Sequence, residues 1–110
     1  MKTLLQTDAF RRWEGKLRDN RARTLIAARL FRLANGIGGD IQPVGHGIYE
    51  LRIHYGPGYR IYVKPTGSSI IILLCGGDKT TQRHDIAMAY HQARRRATEQ
   101  EHNDDQTDPL

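Results

Sequence analysis

Arg52, His54, Arg60 and Lys79 fall within one short stretch of the chain, and together they suit chemistry on a phosphodiester. An arginine can clamp two non-bridging phosphate oxygens at once, and an imidazole that titrates near neutrality can accept a hydroxyl proton. A helix opening near Lys79 adds backbone N–H donors. All of these contacts strengthen as charge gathers on a pentavalent transition state. Other chemistries lack their residues. No GxxxxGK[ST] loop, no GxGxxG after a strand and no GxSxG occurs, so nucleotide cofactors and serine hydrolysis are unsupported. The five histidines, at 46, 54, 84, 91 and 102, form no tightly spaced pair, and no metal site is expected from them.

The element that must hold the cations is the run Ile48 to Lys64, which reads as a two-faced β-hairpin around the turn Gly56-Pro57-Gly58. A three-residue loop pairs Tyr55 with Tyr59, His54 with Arg60, Ile53 with Ile61, Arg52 with Tyr62, Leu51 with Val63 and Glu50 with Lys64. Leu51, Ile53, Ile61 and Val63 then share one face. Glu50, Arg52, His54, Arg60, Tyr62 and Lys64 share the other. A slip of one residue would mix the two sets and bury charge, so the pattern specifies which face is which. The same alternation marks any hairpin with one solvated face, and by itself it leaves both readings standing.

Around this hairpin the remaining elements follow in order. Lys2 to Gln6 is a candidate first strand. Thr7 or Asp8 can cap a helix bearing Phe10, Trp13 and Leu17 on one side, and Asp19 or Asn20 can cap a second, with Ala22, Ile26, Leu30 and Leu33 at helical spacing. Asn35-Gly36 ends it, and the two helices should cover a sheet as a hairpin. A glycine-rich loop with a short optional strand at Ile41 to Val44 comes next, and Pro43 confines such a strand to an edge. Ser69 to Cys75 is apolar enough to be buried on both faces, and a last helix opens between Lys79 and Gln82 with Ile86, Ala89, Tyr90 and Ala93 on one side. The order β-α-α-β-β-β-α is an α+β domain over residues 1–97. Residues 98–110, acidic and almost without apolar side chains, are expected to be a disordered tail.

Charge narrows the partners. The net charge is +5, but all 17 Lys and Arg precede residue 98 while five of the 12 acidic residues follow it, which leaves a body of +10. Such a density in a small domain suits a polyanion or an acidic protein. The single cysteine, Cys75, closes an apolar run and reads as a small buried hydrophobe in a reducing compartment. No run of 18 apolar residues occurs, so a cytoplasmic protein without a membrane partner is expected.

The segments Glu50-Leu51-Arg52, Gly56-Pro57-Gly58-Tyr59-Arg60-Ile61-Tyr62 and Leu73-Leu74-Cys75-Gly76-Gly77-Asp78-Lys79 resemble the RelE/ParE superfamily of type II toxin–antitoxin toxins, most closely its HigB-like branch of addiction-module killer proteins. The resemblance runs over residues 2–97. It implies a RelE-like fold with a helical hairpin and a C-terminal helix on a small, mostly antiparallel sheet. It also implies an endoribonuclease that cuts mRNA in the ribosomal decoding site without metal or cofactor, neutralised by an antitoxin. That antitoxin is expected to be a helix-turn-helix protein encoded adjacently, through which alone the toxin meets operator DNA. By the same resemblance Arg60 matches the arginine that RelE-like nucleases place on the scissile phosphate. Lys79 lies near the catalytic arginine that follows the last strand in RelE. Arg52 lies near a RelE lysine, but an arginine stays protonated and makes a poor base, so His54 is the candidate general base. Lys64, Tyr62, Gln82 and Arg83 would line the RNA path. RelE's tyrosine in the last helix has no secure counterpart, since Tyr90 sits on the apolar face. Two alternatives share the resemblance: a ParE-like toxin that inhibits DNA gyrase without catalysis, and a non-toxic corepressor of an antitoxin.

Overall fold

The structure, a computed structural model, describes the backbone of residues 1–106 and the side chains of residues 1–98. Strand β1 (Thr3–Gln6) leads into helices α1 (Asp8–Gly15) and α2 (Asn20–Ala34). Four strands follow, β2 (Ile41–Gly45), β3 (Ile48–Ile53), β4 (Tyr59–Thr66) and β5 (Ile70–Asp78). A 3-10 turn (Lys79–Thr81) and helix α3 (Gln82–Gln106) complete the α+β fold. The five-stranded sheet has the order β1-β5-β4-β3-β2. Strand β1 runs parallel to β5, and every other pairing is antiparallel. The optional strand at Ile41 is therefore real and sits at the edge, with Pro43 in it, so the expected order gains one strand.

The helices begin where their caps allow. Thr7 Oγ1 accepts the Phe10 N–H at 3.1 Å, and Asp19 Oδ1 accepts the Arg21 and Ala22 N–H groups at 2.9 and 3.2 Å. From these starts α1 and α2 lay Phe10, Ile26, Leu30 and Leu33 on Leu51, Ile53, Ile61, Val63, Ile71 and Leu73 of the sheet. Each such side chain removed from water contributes about 1.5–3 kcal/mol. Strand β5 supplies both faces, as its unbroken apolar run requires: Leu73 joins this core while Leu74 and Cys75 join Ile48, Tyr62 and Ala89 in a second core beneath α3.

That second layer corrects the reading of a solvated hairpin face in part: α3 covers its Glu50 and Tyr62, while Arg52 and His54 on the same face stay open to solvent. Glu50 and Tyr62 are fully buried there. The hairpin register also differs by two residues. Ile53 pairs with Tyr59, Arg52 with Arg60, Leu51 with Ile61, Glu50 with Tyr62 and Tyr49 with Val63. The loop is longer because Tyr55 leaves the ladder: its hydroxyl donates to Asp19 Oδ2 at 2.9 Å, and its carbonyl accepts the Gly58 N–H at 3.1 Å. A shift of two preserves the faces, so both side-chain sets stay sorted as the alternation required.

Helix α3 extends to Gln106, past the expected boundary at residue 97. A helix nucleated by packing propagates through good formers such as Ala97, Glu99 and Gln100 without needing apolar contacts of its own. Residues 107–110 of the expected tail lie outside the described residues. Among the described residues no helix is long and apolar enough to cross a membrane.

Candidate functional site

The β3–β4 register places Arg52 directly opposite Arg60. Two like charges facing across a strand pair repel, and the arrangement needs a compensating anion. Glu50, two residues before Arg52 on the same face, supplies it. Its carboxylate is 0% exposed and accepts Arg52 Nε at 2.8 Å, the Tyr62 hydroxyl at 2.9 Å and Gln82 Nε2 at 2.7 Å. Arg60 Nη1 lies 3.6 Å from Glu50 Oε1, close enough for charge attraction but not hydrogen-bonded. Burial by itself raises the Glu50 carboxyl. The hydrogen bonds from Arg52, Gln82 and Tyr62 and the charge of Arg60 outweigh it, and the net shift is downward. Glu50 is therefore an anion at neutral pH.

Arg52 and Arg60 are not equivalent. The Arg52 side chain is 35% exposed and its Nε is committed to Glu50. Arg60 is 11% exposed, and its Nε and Nη1 are buried without a hydrogen-bond partner. A buried donor left unmade costs about 1–3 kcal/mol, and such a group in a folded chain calls for a partner, whether a water, an ion or a substrate.

Arg60 borders an open cleft of about 410 Å³, with His54, Pro57, Gly58 and Lys79 among the residues of its wall. Gly58, at φ +81°, carries the hairpin turn against Lys79, whose Cβ lies 3.3 Å from where a Gly58 Cβ would stand. On β5, opposite Arg60, Gly77 leaves the room that the Asp85 carboxylate occupies. Asp85 accepts the Thr81 hydroxyl at 2.5 Å and so fixes the start of α3, from which Gln82 reaches Glu50.

His54, 72% exposed, pairs through Nε2 with Asp40 Oδ2. The hydrogen bond from His54, aided by its charge and by Arg52, holds the Asp40 carboxyl below its ordinary range. An ionised carboxylate only accepts, so Nε2 carries the proton in the neutral ring and Nδ1 keeps its lone pair. Arg29 secures the loop bearing Asp40 by donating to Arg52 O at 2.6 Å and to Gly38 O at 2.8 Å.

The expected site residues thus divide. Arg60, Lys79 and His54 line one cleft, while Arg52 is not part of its wall and is tied to Glu50. Tyr62 is not on an RNA path: it is fully buried, and burial first, then its bond to Glu50, raises its phenol. Gln82 likewise spends its amide on Glu50. Arg83 is exposed in the first turn of α3. Lys64 lies on the same sheet face but four residues beyond Arg60, about 13 Å along the strand, and borders clefts with His46, Tyr90 and Arg94. The backbone donors expected after Lys79 are partly taken, since Asp78 Oδ1 accepts the Thr80 N–H at 2.8 Å. Tyr90 packs beside the second core and donates its hydroxyl to Val44 O. Among the described residues no group of three or more His, Cys, Asp or Glu side chains converges to hold a metal ion.

Glu50 and Asp40 were the residues that sequence reasoning left without a role. Glu50 had a signal, a carboxylate on the same strand face as two arginines. Asp40 had none, because a glycine-rich loop and fourteen residues separate it from His54.

No family model matches the chain. It is similar to an uncharacterized protein of Haemophilus influenzae (strain ATCC 51907 / DSM 11121 / KW20 / Rd), with 49% identity over 89 residues, 81% of this chain and 87% of the relative.

Proposed function

From the premise that the chain belongs to one family with that Haemophilus influenzae protein, we propose that it is a HigB-like toxin of the RelE/ParE superfamily, with the RelE-like topology, acting in the cytoplasm as a ribosome-dependent mRNA endoribonuclease. The observation that carries this reading is the Arg60 guanidinium, which has two nitrogens without a hydrogen bond and lies beside a cleft shared with Lys79 and a carboxylate-paired histidine.

The roles follow from those positions. Arg60 receives the scissile phosphate. His54 Nδ1 takes the proton of the 2′-hydroxyl, and O2′ attacks phosphorus as the bond to O5′ breaks. The imidazolium so formed is stabilised by Asp40. Lys79 places a positive charge against the departing O5′, which takes a proton from water. The product ends in a 2′,3′-cyclic phosphate, and its hydrolysis leaves a 3′-phosphate. A cationic body of this kind calls for an acidic antitoxin to keep it from cellular RNA.

Induction of the protein without its antitoxin, followed by mapping of mRNA 5′ ends, tests the reading. Cleavage phased with the reading frame is expected. Intact mRNA with gyrase-dependent DNA damage would replace it with the ParE-like reading, and harmless expression with the corepressor one.

A further inference from the structure

We propose that Glu50 is the positioning residue of this cleft, holding Arg52 as its close partner so that Arg60 stays beside the cleft with nitrogens unspent for a substrate phosphate. The inference rests on the endoribonuclease reading and adds to it a division of labour between the two arginines. A carboxylate offers about four lone-pair sites. Three are filled by Arg52 Nε at 2.8 Å, Tyr62 Oη at 2.9 Å and Gln82 Nε2 at 2.7 Å. The fourth position is where Arg60 stands, 3.6 Å from Oε1 and without a hydrogen bond. Arg60 is therefore held by charge alone. It can turn into the cleft without breaking a hydrogen bond, while Arg52 cannot.

Tyr62 and Gln82 act on the same carboxylate from two different elements, β4 and the start of α3. They are too enclosed or too committed to touch RNA, but they decide how Glu50 is turned and hence which arginine it binds. The device also explains how two arginines can face each other across a strand pair. Without the anion they would repel, and without Arg52 the anion would capture Arg60. Loss of Arg52 should thus silence Arg60 although Arg60 itself is intact.

The test uses the full chain with two readouts: single-turnover cleavage of mRNA on programmed ribosomes, and the Arg60 Nε–H NMR resonance of the RNA-free protein titrated with inorganic phosphate. Tyr62→Phe, which keeps the ring and removes the hydroxyl, should slow cleavage about tenfold at saturation with little change in the half-saturating protein concentration. Arg52→Met should abolish the phosphate-induced shift of Arg60, and Glu50→Gln combined with Arg52→Met should restore it, because the capturing charge is gone. Should the double variant fail to fold, Tyr62→Phe and Arg52→Met still decide. An unaltered rate in Tyr62→Phe together with an Arg60 shift that survives in Arg52→Met would overturn the positioning role. Phosphate behaviour as expected but no cleavage by the wild type would instead overturn the nuclease reading and leave the positioning role standing.

Discussion

On the proposed nuclease reading, Arg60 serves the reaction more than the fold. Its removal leaves Glu50 with all three of its hydrogen bonds but takes away a largely buried side chain and one compensating charge, so Arg60→Ala should fold with a modest loss of thermal stability. If Arg60 binds the scissile phosphate as proposed, the same change takes away a preorganised charge there and should cost on the order of 3 kcal/mol of barrier, or about a hundredfold in rate. Growth after induction and the 5′-end map read the effect, and a toxic, folded variant would remove Arg60 from the site. Glu50 gives a pH dependence of definite sign. Its carboxyl is lower in the folded chain than the ordinary glutamate value, so its stabilising effect is complete above that value, near 4.5, and is lost as pH falls through the depressed one. Denaturant midpoints for Glu50→Gln and wild type should therefore differ most near neutrality and converge in acid. Asp85 works in the opposite sense, since burial raises its carboxyl despite the Thr81 hydrogen bond. Cys75 is a residue whose role was legible in sequence. Burial, with the nearby charge of Asp85 added, pushes its thiol up to about 12. A disulfide reagent at neutral pH should label it only as fast as the chain opens, and rapid labelling of native protein would contradict its burial.

At the scale of elements, alternation in the hairpin made its faces legible, because a side-chain period of two is set by the pleat and survives any even shift of register. The register itself was not legible. It depends on Tyr55 bonding Asp19, a contact between residues 36 apart in the chain. For the same reason the sequence showed which cations share a face but not that Tyr62 is enclosed, since only the return of α3 over β4 buries it. Gly77 is where these elements meet. A Cβ there would stand 1.7 Å from Asp85 Oδ2 and 2.5 Å from its Cγ, and a short side chain anchored in a helix has little freedom to withdraw. Gly77→Ala should destabilise the fold by about 1–3 kcal/mol in urea denaturation and should also slow cleavage by moving Gln82 off Glu50. Adding Asp85→Ala should recover part of the stability. An unchanged midpoint in the single variant would show that α3 is not seated as described.

For the whole molecule, the decisive property is a +10 body whose cations are only partly committed. Arg52 is tied to Glu50 and Arg29 to backbone carbonyls, whereas Lys79, in the cleft wall, and Arg83, in the first turn of α3, are exposed. On the proposed toxin reading, an acidic antitoxin should therefore be steered to these two cations. Steering acts on the approach, over roughly a Debye length of about 10 Å at 0.1 M salt, and it raises the association rate more than it lengthens the lifetime of the complex. Charge reversal of Lys79 and Arg83 together should slow association several-fold at low salt and have little effect once salt has screened the field. The dissociation rate should hardly change, because peripheral charges act mainly on the association rate. Charge reversal at Lys64, on the same sheet face but near the other half of α3, serves as the control of equal net charge per substitution. Stopped-flow mixing across a salt series separates the two. Equal slowing per unit of charge reversed in the two changes would mean that net charge alone guides the partner, and a salt-independent rate would remove electrostatic steering from the account altogether.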